Sequence, residues 1–568
     1  MNRRFFAATI FFSILIAVVI LRLFFLQVID HSFYRALAEN QHQFFETLVP
    51  ARGEIFVHES DSAQVIPVVT NIEKNLLYVV PQEVEDKTSL AASLSKIVDI
   101  PRAEILQKIS DPAKKWVSIK KDLSESETLK IQGGKFAGVY LQPDPGRFYP
   151  EGAFASQVLG FYGFVQDQKQ GRYGVEEYYQ DTLAGKAGSL SQENDPRGRW
   201  ISSGIRKLEP AQDGADITLT LDQAIQFQAE QHLKAGVEAH QADSGSIIIM
   251  NPKTGAILAM ANYPSFDPNQ FGQVQDQKVF RNNAVSDAFE PGSVFKSITM
   301  AAAIEGGAVT PDTTYEDTGQ VAVDKFIIKN SDGKANGVQT MTDVLDKSLN
   351  TGAIFAMQQL GMDKFFETVK NFGFGTPTGI TLPAESGGDI KNLENGGIVH
   401  YDTASFGQGI TVTLMQLTQA FAAIANQGKM MKPYIVESVK YSDTKKIDTK
   451  PEEVRQVISQ RTANMLGAML VSVVEVGHGK RAGVPGYYVA GKTGTAQVAK
   501  ADGAGYDPNI TIGSFAGFAP VDNPAFAMAV TIRNPKGVKF AESTAAPVFG
   551  EMAKYLLNYF QIPPTRQN

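Results

Sequence analysis

A long apolar run at the amino end of the chain places the strongest constraint on its fold. After two arginines at positions 3 and 4, the stretch Phe5–Leu21 contains no charged residue. The hydrocarbon core of a bilayer is about 30 Å thick and is crossed by about 20 helical residues. A helix over Phe5–Phe25 is therefore long enough to span it. A buried core helix would instead show a polar face at helical spacing, whereas the run before Arg22 has no charged or amide side chain and only the small hydroxyls of Thr9 and Ser13.

The end of this run favours an uncleaved anchor over a signal peptide. Signal peptides have an apolar region of about 7–15 residues followed by small residues at the cleavage site. Here the exit is the bulky sequence Leu23-Phe-Phe-Leu-Gln-Val-Ile29. Because positive residues flanking a span stay in the cytoplasm, we predict a single-pass protein of the cytoplasmic membrane. Everything after Asp30 then lies outside the cytoplasm.

Composition excludes several classes of function. The chain has 53 Lys and Arg against 60 Asp and Glu, a net charge of −7. It therefore has no general basic field for nucleic acid, and we expect no such partner. Cysteine is absent, and the seven histidines form no His-Glu-x-x-His motif. We accordingly expect neither a metal site nor a cofactor.

Beyond the anchor, the Pro/Gly/Asp segment Pro210–Gly214 predicts a domain boundary in the 568-residue chain. Mixed strand and helix signals precede it, among them helical spacing over Ser89–Ile109 that is broken at Pro101. A strand at Asp216–Leu221, a helix capped by Asp222 and a hairpin around Asn251-Pro-Lys-Thr-Gly255 follow it. The later predicted elements are the helices Val294–Ile304, Leu345–Leu360, Leu414–Ala425, Thr462–Glu475 and Ala545–Phe560 and the strands Tyr487–Ala490, Ile512–Phe518 and Phe526–Ile532. This order predicts a sheet with helices on both sides, α+β or α/β in class.

A serine and a lysine lie three residues apart in Ser293-Val-Phe-Lys296, which places both on one face of a helix. A neutral lysine amine could then take the serine proton. The preceding Glu290-Pro-Gly puts the serine near a helix N-terminus, where the dipole favours a developing alkoxide. The motif alone is weak, because other Ser-x-x-Lys matches begin at Ser93, Ser118, Ser331 and Ser442.

Two further polar motifs follow it in the chain. Ser348-Leu-Asn350 lies at a predicted helix start, where a simple helix cap would also explain it. Lys492-Thr-Gly494 follows a predicted strand, whereas Lys253-Thr-Gly255 is explained as a hairpin turn. The segment Gly486–Thr493 fits the phosphate-loop pattern Gly-x4-Gly-Lys-Thr, but its intervening residues are strand-like and no amphipathic helix follows.

In this order the three motifs resemble those of the penicillin-interacting serine transpeptidases and β-lactamases. The chain as a whole resembles the class B (monofunctional) penicillin-binding proteins. The additional matches, which span nearly the whole chain, are Arg52-Gly53-x-Ile55, Arg147-Phe-Tyr-Pro150, Gly174-Val-Glu176, Gly185-x-x-Gly188, Phe406-Gly-Gln-Gly409 and Val489–Gln497. The resemblance implies a multidomain protein. It would have one transmembrane helix (1–30), an α+β pedestal or dimerisation-like domain (31–210) and an α/β penicillin-binding/β-lactamase-like domain with an antiparallel sheet flanked by helices (211–568).

The family also implies a reaction, the D,D-transpeptidation that cross-links peptidoglycan stem peptides. Ser293 would attack the penultimate residue of D-Ala-D-Ala and release the terminal D-Ala. Lys296 would be the base, Ser348 would relay a proton, and Asn350 would position Lys296 and the substrate amide. To act as a base, Lys296 must be neutral, which burial beside a second cation would favour.

The resemblance assigns substrate binding to the third motif and its flank, namely Lys492, Thr493, Gly494 and Thr495. The backbone amides of Ser293 and Thr495 would form the oxyanion hole. β-Lactams would be mimics that acylate Ser293 and leave slowly. The implied protein partners are a SEDS-type glycosyltransferase and other wall-synthesis or divisome membrane proteins.

Several alternatives remain open at this level. A membrane-anchored β-lactamase or β-lactam sensor shares the three motifs, although the Glu-x-x-Leu-Asn of class A β-lactamases is not found. A non-catalytic scaffold would have lost a motif residue, and all are present. A bifunctional protein would carry a glycosyltransferase motif in its first domain, and none is found. Glu290-Pro-Gly-Ser293 favours the septal branch, with an elongation-type enzyme as the alternative.

Overall fold

The computed structural model describes residues 3–29, 43–60, 64–111, 114–144, 146–165, 168–193, 206–442, 445–500, 505–538 and 540–566. The chain separates into two compact units. The first consists of Met1–Gly53 and Ala184–Gly214, and the second of Glu54–Leu183 and Ala215–Asn568. The predicted boundary near residue 211 stays a prediction.

The first unit contains the apolar helix. Arg3–Phe24 is α-helical and continues as a π-helical turn over Phe25–Ile29. Among the described residues, Thr9–Ile29 is the one segment long and apolar enough to cross a membrane, with a mean hydropathy of 2.7. This helix fits a single-pass anchor. The same unit has a three-stranded antiparallel sheet in the order Gln43–Leu48, Gly188–Glu193, Arg206–Glu209.

The amino-terminal part of the second unit holds a small α+β layer. The strand Asn75–Val79 lies between Val117–Leu123 and Val139–Pro143. The helices of this layer are Lys87–Val98, Arg102–Ile109 and Glu125–Gly134. The predicted helical break at Pro101 is confirmed, since one helix ends at Val98 and the next begins at Arg102. Pro101 is the N-cap of the second helix, where its missing amide proton costs no hydrogen bond within the helix.

A second sheet in this unit has six strands. Their order is Lys445–Asp448, Val436–Ser442, Asp216–Asp222, Ile55–His58, Val65–Ile72 and Gly146–Phe148. This sheet joins strands that come before and after the predicted boundary at Pro210–Gly214, because Asp216–Asp222 runs parallel to Ile55–His58. The side chain of Asp222 accepts a hydrogen bond of 3.0 Å from the Ile225 amide, which confirms its predicted role as a helix cap.

The central sheet of the second unit is antiparallel and has five strands. Their order is Ile257–Tyr263, Ser244–Met250, Phe526–Arg533, Tyr506–Ala519 and Ala490–Ala499. Ile247 and Ile249 pack in one core with the helices Gln223–Ala239 and Ala545–Tyr559. Ile248 and Met250 pack in the other core with the helical middle of the chain. Both faces are thus covered, which explains the continuous apolar strands and confirms a sheet flanked by helices.

The helical middle differs from the prediction in one place that matters for the site. Its helices are Lys296–Glu305, Met341–Asp346, Asn350–Leu360, Met362–Asn371, Lys391–Asn395, Ile398–Ser405, Leu414–Ala425 and Gln460–Glu475. The single helix predicted over Leu345–Leu360 is wrong. It breaks at Ser348, whose φ of 54° is in the left-handed region that continuous helix excludes.

The bounds predicted for one strand are also wrong. Tyr487–Ala490 was the predicted strand, but the strand is Ala490–Ala499, so Lys492-Thr-Gly494 lies within it. Its polar residues do not alternate with apolar ones, which is why periodicity placed the strand too early. Pairing with the neighbouring strand holds this segment extended, with Lys492 opposite Ala516.

Candidate active site

Ser293 lies on a single 3-10 turn, Gly292–Phe295, directly before the helix Lys296–Glu305. Gly292 has a φ of 56°, which favours glycine, and its amide donates to the Gly407 carbonyl at 3.1 Å. The side chain of Ser293 is half-buried, so solvent and substrate can reach it. Its position before a helix places it where the dipole stabilises negative charge.

The strand Ala490–Ala499 lies directly against the turn Gly292–Phe295, called the nucleophile turn here after the role predicted for Ser293. A Cβ atom on Gly494 would lie 2.6 Å from the Pro291 carbonyl oxygen and 2.6 Å from the Ser514 hydroxyl. A Cβ atom on Gly292 would lie 2.9 Å from the Thr495 carbonyl oxygen. Only glycine fits at either position without displacing a neighbour, so the strand and the turn are in close contact.

This contact also fixes the direction of the Thr495 backbone. In an antiparallel strand the N–H and C=O groups of one residue point to the same side. Because the Thr495 carbonyl faces Gly292, its N–H also faces the nucleophile turn. The Thr495 hydroxyl accepts a 3.0 Å hydrogen bond from the Ala541 amide, which leaves its own proton available.

Two buried lysines meet at one serine hydroxyl. The side chains of Lys296 and Lys492 are 1% and 0% exposed. Lys296 Nζ donates to Ser348 Oγ at 3.3 Å and to the Ser348 carbonyl at 2.5 Å. Lys492 Nζ donates to the same Ser348 Oγ at 3.0 Å and to the Thr493 carbonyl at 3.2 Å. The hydroxyl of Ser348 therefore bridges the two amines.

Burial and mutual repulsion separate the protonation states of these lysines. Burial, and then the charge of Lys492, lowers the pKa of Lys296 well below its ordinary value. Burial lowers the pKa of Lys492 to about 7, while the charge of Asp346 acts in the opposite direction. Two ammonium groups this close cannot both stay charged in a dry site. Burial and the neighbouring charge of Lys492 both favour the neutral form of Lys296.

The other two predicted catalytic residues make different contacts. Within the described part of the chain, the Ser293 hydroxyl has no hydrogen-bond partner, and the Lys296 amine is directed at Ser348. Hydrogen bonds of this kind often tighten only when substrate binds. The side-chain amide of Asn350 donates to the Lys329 carbonyl at 2.9 Å. Among the described residues Asn350 makes no hydrogen bond to Lys296, and its positioning role stays a prediction.

Sequence reasoning missed the cluster that holds Asn350 in place. The side-chain oxygen of Asn330 accepts from the amides of Asn350 and Thr351 at 2.9 and 3.2 Å. Its nitrogen donates to both carboxylate oxygens of Asp317 at 2.9 and 3.0 Å. The one sequence signal, Asp317-Thr-Gly319, indicates a turn but does not reveal which distant helix the turn contacts.

The phosphate-loop alternative does not agree with this geometry. Such a loop wraps free backbone amides around phosphate between a strand and a helix. Here Lys492 and Thr493 are paired in a sheet with Ala516 and Phe515, and the strand continues to Ala499. No group of three or more His, Asp or Glu residues in the described segments could hold a metal ion.

Two family models match the chain. Residues 245–554 match the penicillin binding protein transpeptidase domain, and residues 47–219 match the penicillin-binding protein dimerisation domain. The two matches cover more than half of the chain and lie in the order that the motifs predict.

Individual relatives agree along nearly the whole length. Stage V sporulation protein D of Bacillus subtilis is 35% identical over 91% of this chain and 79% of its own. The probable peptidoglycan D,D-transpeptidase PbpC of Pseudomonas aeruginosa is 31% identical over 99% of this chain and 96% of its own. The crystal structure of penicillin binding protein 3 from Mycobacterium tuberculosis, complexed with aztreonam, superposes with a TM-score of 0.70. It has 27% identity and covers 92% of this chain and 98% of that one.

Proposed function

We propose residue roles for this chain from one premise: it belongs to the class B penicillin-binding proteins and is a peptidoglycan D,D-transpeptidase, a serine acyltransferase. In the first step Ser293 Oγ attacks the carbonyl carbon of the penultimate D-Ala of a stem peptide. The C–N bond to the terminal D-Ala breaks, and an ester to Ser293 forms. An amine of a second stem peptide then attacks this ester, which forms the cross-link and frees Ser293.

In this scheme the protons move between the side chains of Ser293, Lys296 and Ser348. Neutral Lys296 takes the proton from Ser293, Ser348 passes its own proton to the nitrogen of the departing D-Ala, and Lys296 then returns a proton to Ser348. In the second step Ser348 takes the proton of the attacking amine and passes its own to Lys296, which protonates Ser293 as the ester breaks. The observation that supports this assignment is the single Ser348 hydroxyl within hydrogen-bonding distance of both buried amines.

Substrate binding falls to the strand that carries the third motif. Lys492 is the cation that pairs with the terminal carboxylate of D-Ala, and the hydroxyls of Thr493 and Thr495 donate to the same carboxylate. Gly494 allows the strand to approach the nucleophile turn. The N–H groups of Ser293 and Thr495 bind the oxyanion of the tetrahedral intermediate.

We further propose that β-lactams acylate Ser293 in place of the stem peptide, as the aztreonam complex of a relative suggests. The apolar helix Arg3–Phe24 anchors the enzyme, with its catalytic domain outside the cytoplasm. Glu290 before the nucleophile favours a role in septal wall synthesis. A SEDS-type glycosyltransferase and divisome membrane proteins are the partners that this role requires.

Labelling with a fluorescent penicillin and peptide mapping by mass spectrometry tests the assignment. We expect one adduct, on Ser293, that is lost in Ser293→Ala. The matched control is Ser297→Ala one turn later, which removes a buried hydroxyl with no hydrogen-bond partner in the described part of the chain, and labelling should persist. An adduct at another residue, or none on folded protein, would refute the assignment. Rapid turnover of a chromogenic β-lactam would instead identify a β-lactamase.

Topology is testable because the chain contains no cysteine. A single Glu452→Cys substitution introduces one thiol on an exposed side chain that is 65% accessible. A membrane-impermeant maleimide should label this thiol in intact cells from which any outer envelope has been removed. Labelling only after lysis would contradict an external catalytic domain. A variant lacking residues 1–30 should leave the membrane fraction.

A further inference from the structure

The buried carboxylate of Asp346 lies within electrostatic reach of Lys492, one of the two buried lysines. Asp346 ends the helix Met341–Asp346, two residues before Ser348. Its Oδ2 atom accepts a 2.8 Å hydrogen bond from the Ser472 hydroxyl, whereas its Oδ1 atom is buried with no partner among the described residues. A carboxylate with one unpartnered oxygen in a dry site is costly unless a nearby cation compensates it.

The surrounding backbone holds Asp346 in place. The His478 amide donates to the Asp346 carbonyl at 3.1 Å, and a Cβ atom on Gly477 would lie 2.5 Å from that oxygen. These two residues follow the helix Gln460–Glu475, which contacts both the helix of Asp346 and the strand of Lys492. The carboxylate therefore has a fixed position relative to the strand of the third motif.

We propose that Asp346 is a positioning residue whose negative charge keeps Lys492 protonated for the substrate carboxylate while Lys296 remains neutral. This inference rests on the proposed function, since it assumes that Lys492 binds the carboxylate as a cation. Asp346 itself touches no reacting atom. It acts by making the two lysines unequal, because a carboxylate stabilises the cation that lies within its electrostatic reach.

The other charges near this pair do not replace Asp346. The charged groups that face Asp346 or Lys492 are Lys296, Asp343 and Lys347. Asp343 and Lys347 are partly exposed and lie 3.8 Å apart, so they largely offset each other and are screened by solvent. His478 contributes its backbone, while its exposed ring lies 3.3 Å from Glu542.

The directions of the pKa shifts agree with this arrangement. Burial raises the pKa of Asp346, and Lys492 lowers it. Burial lowers the pKa of Lys492, and Asp346 raises it. Removing the carboxylate charge should therefore lower the pKa of Lys492, so that this lysine loses its proton at a lower pH.

The test is the pH dependence of the second-order rate of acylation by benzylpenicillin. In the wild type the rate should fall on the alkaline side, where Lys492 loses its proton. In Asp346→Asn this limb should move to lower pH by about one unit, which lowers the alkaline rate about tenfold. Asp448→Asn, an isosteric change on an exposed strand, should leave the profile in place. The methyl ester of benzylpenicillin has no carboxylate for Lys492, so its rate should not respond to Asp346→Asn.

Two outcomes overturn the proposal: an unmoved alkaline limb in folded Asp346→Asn, or an equal loss of rate with the ester, which indicates general damage. If Asp346→Asn does not fold, Asp346→Ala becomes the test, because it also removes the carboxylate charge. Its alkaline limb should move in the same direction, and an unmoved limb in folded Asp346→Ala would also overturn the proposal. If the wild type acquires no adduct on Ser293, the proposed function itself has failed.

Discussion

Replacing Asn330 by alanine should reduce stability and activity together. Its side chain is buried and joins two parts of the catalytic domain. The oxygen accepts from the amides of Asn350 and Thr351 at 2.9 and 3.2 Å, at the start of the helix that follows Ser348. The nitrogen donates to both carboxylate oxygens of Asp317 at 2.9 and 3.0 Å. Alanine removes all of these hydrogen bonds.

The expected loss of unfolding free energy has two parts. Removing a polar cap from a helix N-terminus costs about 1 kcal/mol. Taking one donor from a buried carboxylate costs about 2 kcal/mol, because hydrogen bonds to charged groups are the stronger ones. Asn330→Ala should therefore cost about 3 kcal/mol and lower the melting temperature by roughly 6–12 °C. A shift of Ser348 by about 1 Å would slow penicillin acylation up to a hundredfold.

Thermal unfolding and stopped-flow penicillin acylation measure the two effects. The matched control is Asn336→Ala, because the Asn336 side-chain amide donates to the same Asp317 carboxylate at 2.6 Å, while the described residues show no hydrogen bond from it to the helix Asn350–Leu360. The control should lose some stability and keep its acylation rate. Wild-type acylation in Asn330→Ala, or an equal loss of acylation in both variants, would refute the reasoning.

Three further changes probe other parts of the fold. Gly494→Ala should slow acylation about a hundredfold, because its Cβ atom would displace the strand from the nucleophile turn. The control is Gly272→Ala, where a Cβ atom would lie in open space. Equal acylation rates in the two variants would contradict the close contact between the strand and the turn. Glu176→Ala should cost about 3–5 kcal/mol in denaturant unfolding, since it leaves Arg147, 2% exposed, as an unpaired buried charge; a negligible cost would contradict this. Burial raises the pKa of Glu290, so the wild type loses stability as pH rises through that pKa. Over that pH range Glu290→Gln should gain stability relative to the wild type in thermal melts. A stability difference that does not change with pH would contradict the raised pKa of Glu290.

The sequence determined the identity and order of the chemical groups. Serine and lysine at i and i+3 share a helical face whatever the rest of the chain does, and an apolar run of sufficient length can cross a bilayer in any context. Helix ends could also be predicted where a local signal exists, as at Asp222 and Pro101. These features depend on interactions within one or two turns, which is why periodicity and capping rules detect them.

The tertiary structure decided how those groups work together. Ser348 is 52 residues from Lys296 and 144 from Lys492, and no local rule places its hydroxyl between their amines. The helix break that makes this possible, at a φ of 54°, has no glycine to signal it. Lysine pKa values depend on how much water the distant chain excludes and on which charges it brings near. For that reason the contact of Asn350 with Lys329 and the buried carboxylate of Asp346 became visible only in the folded chain.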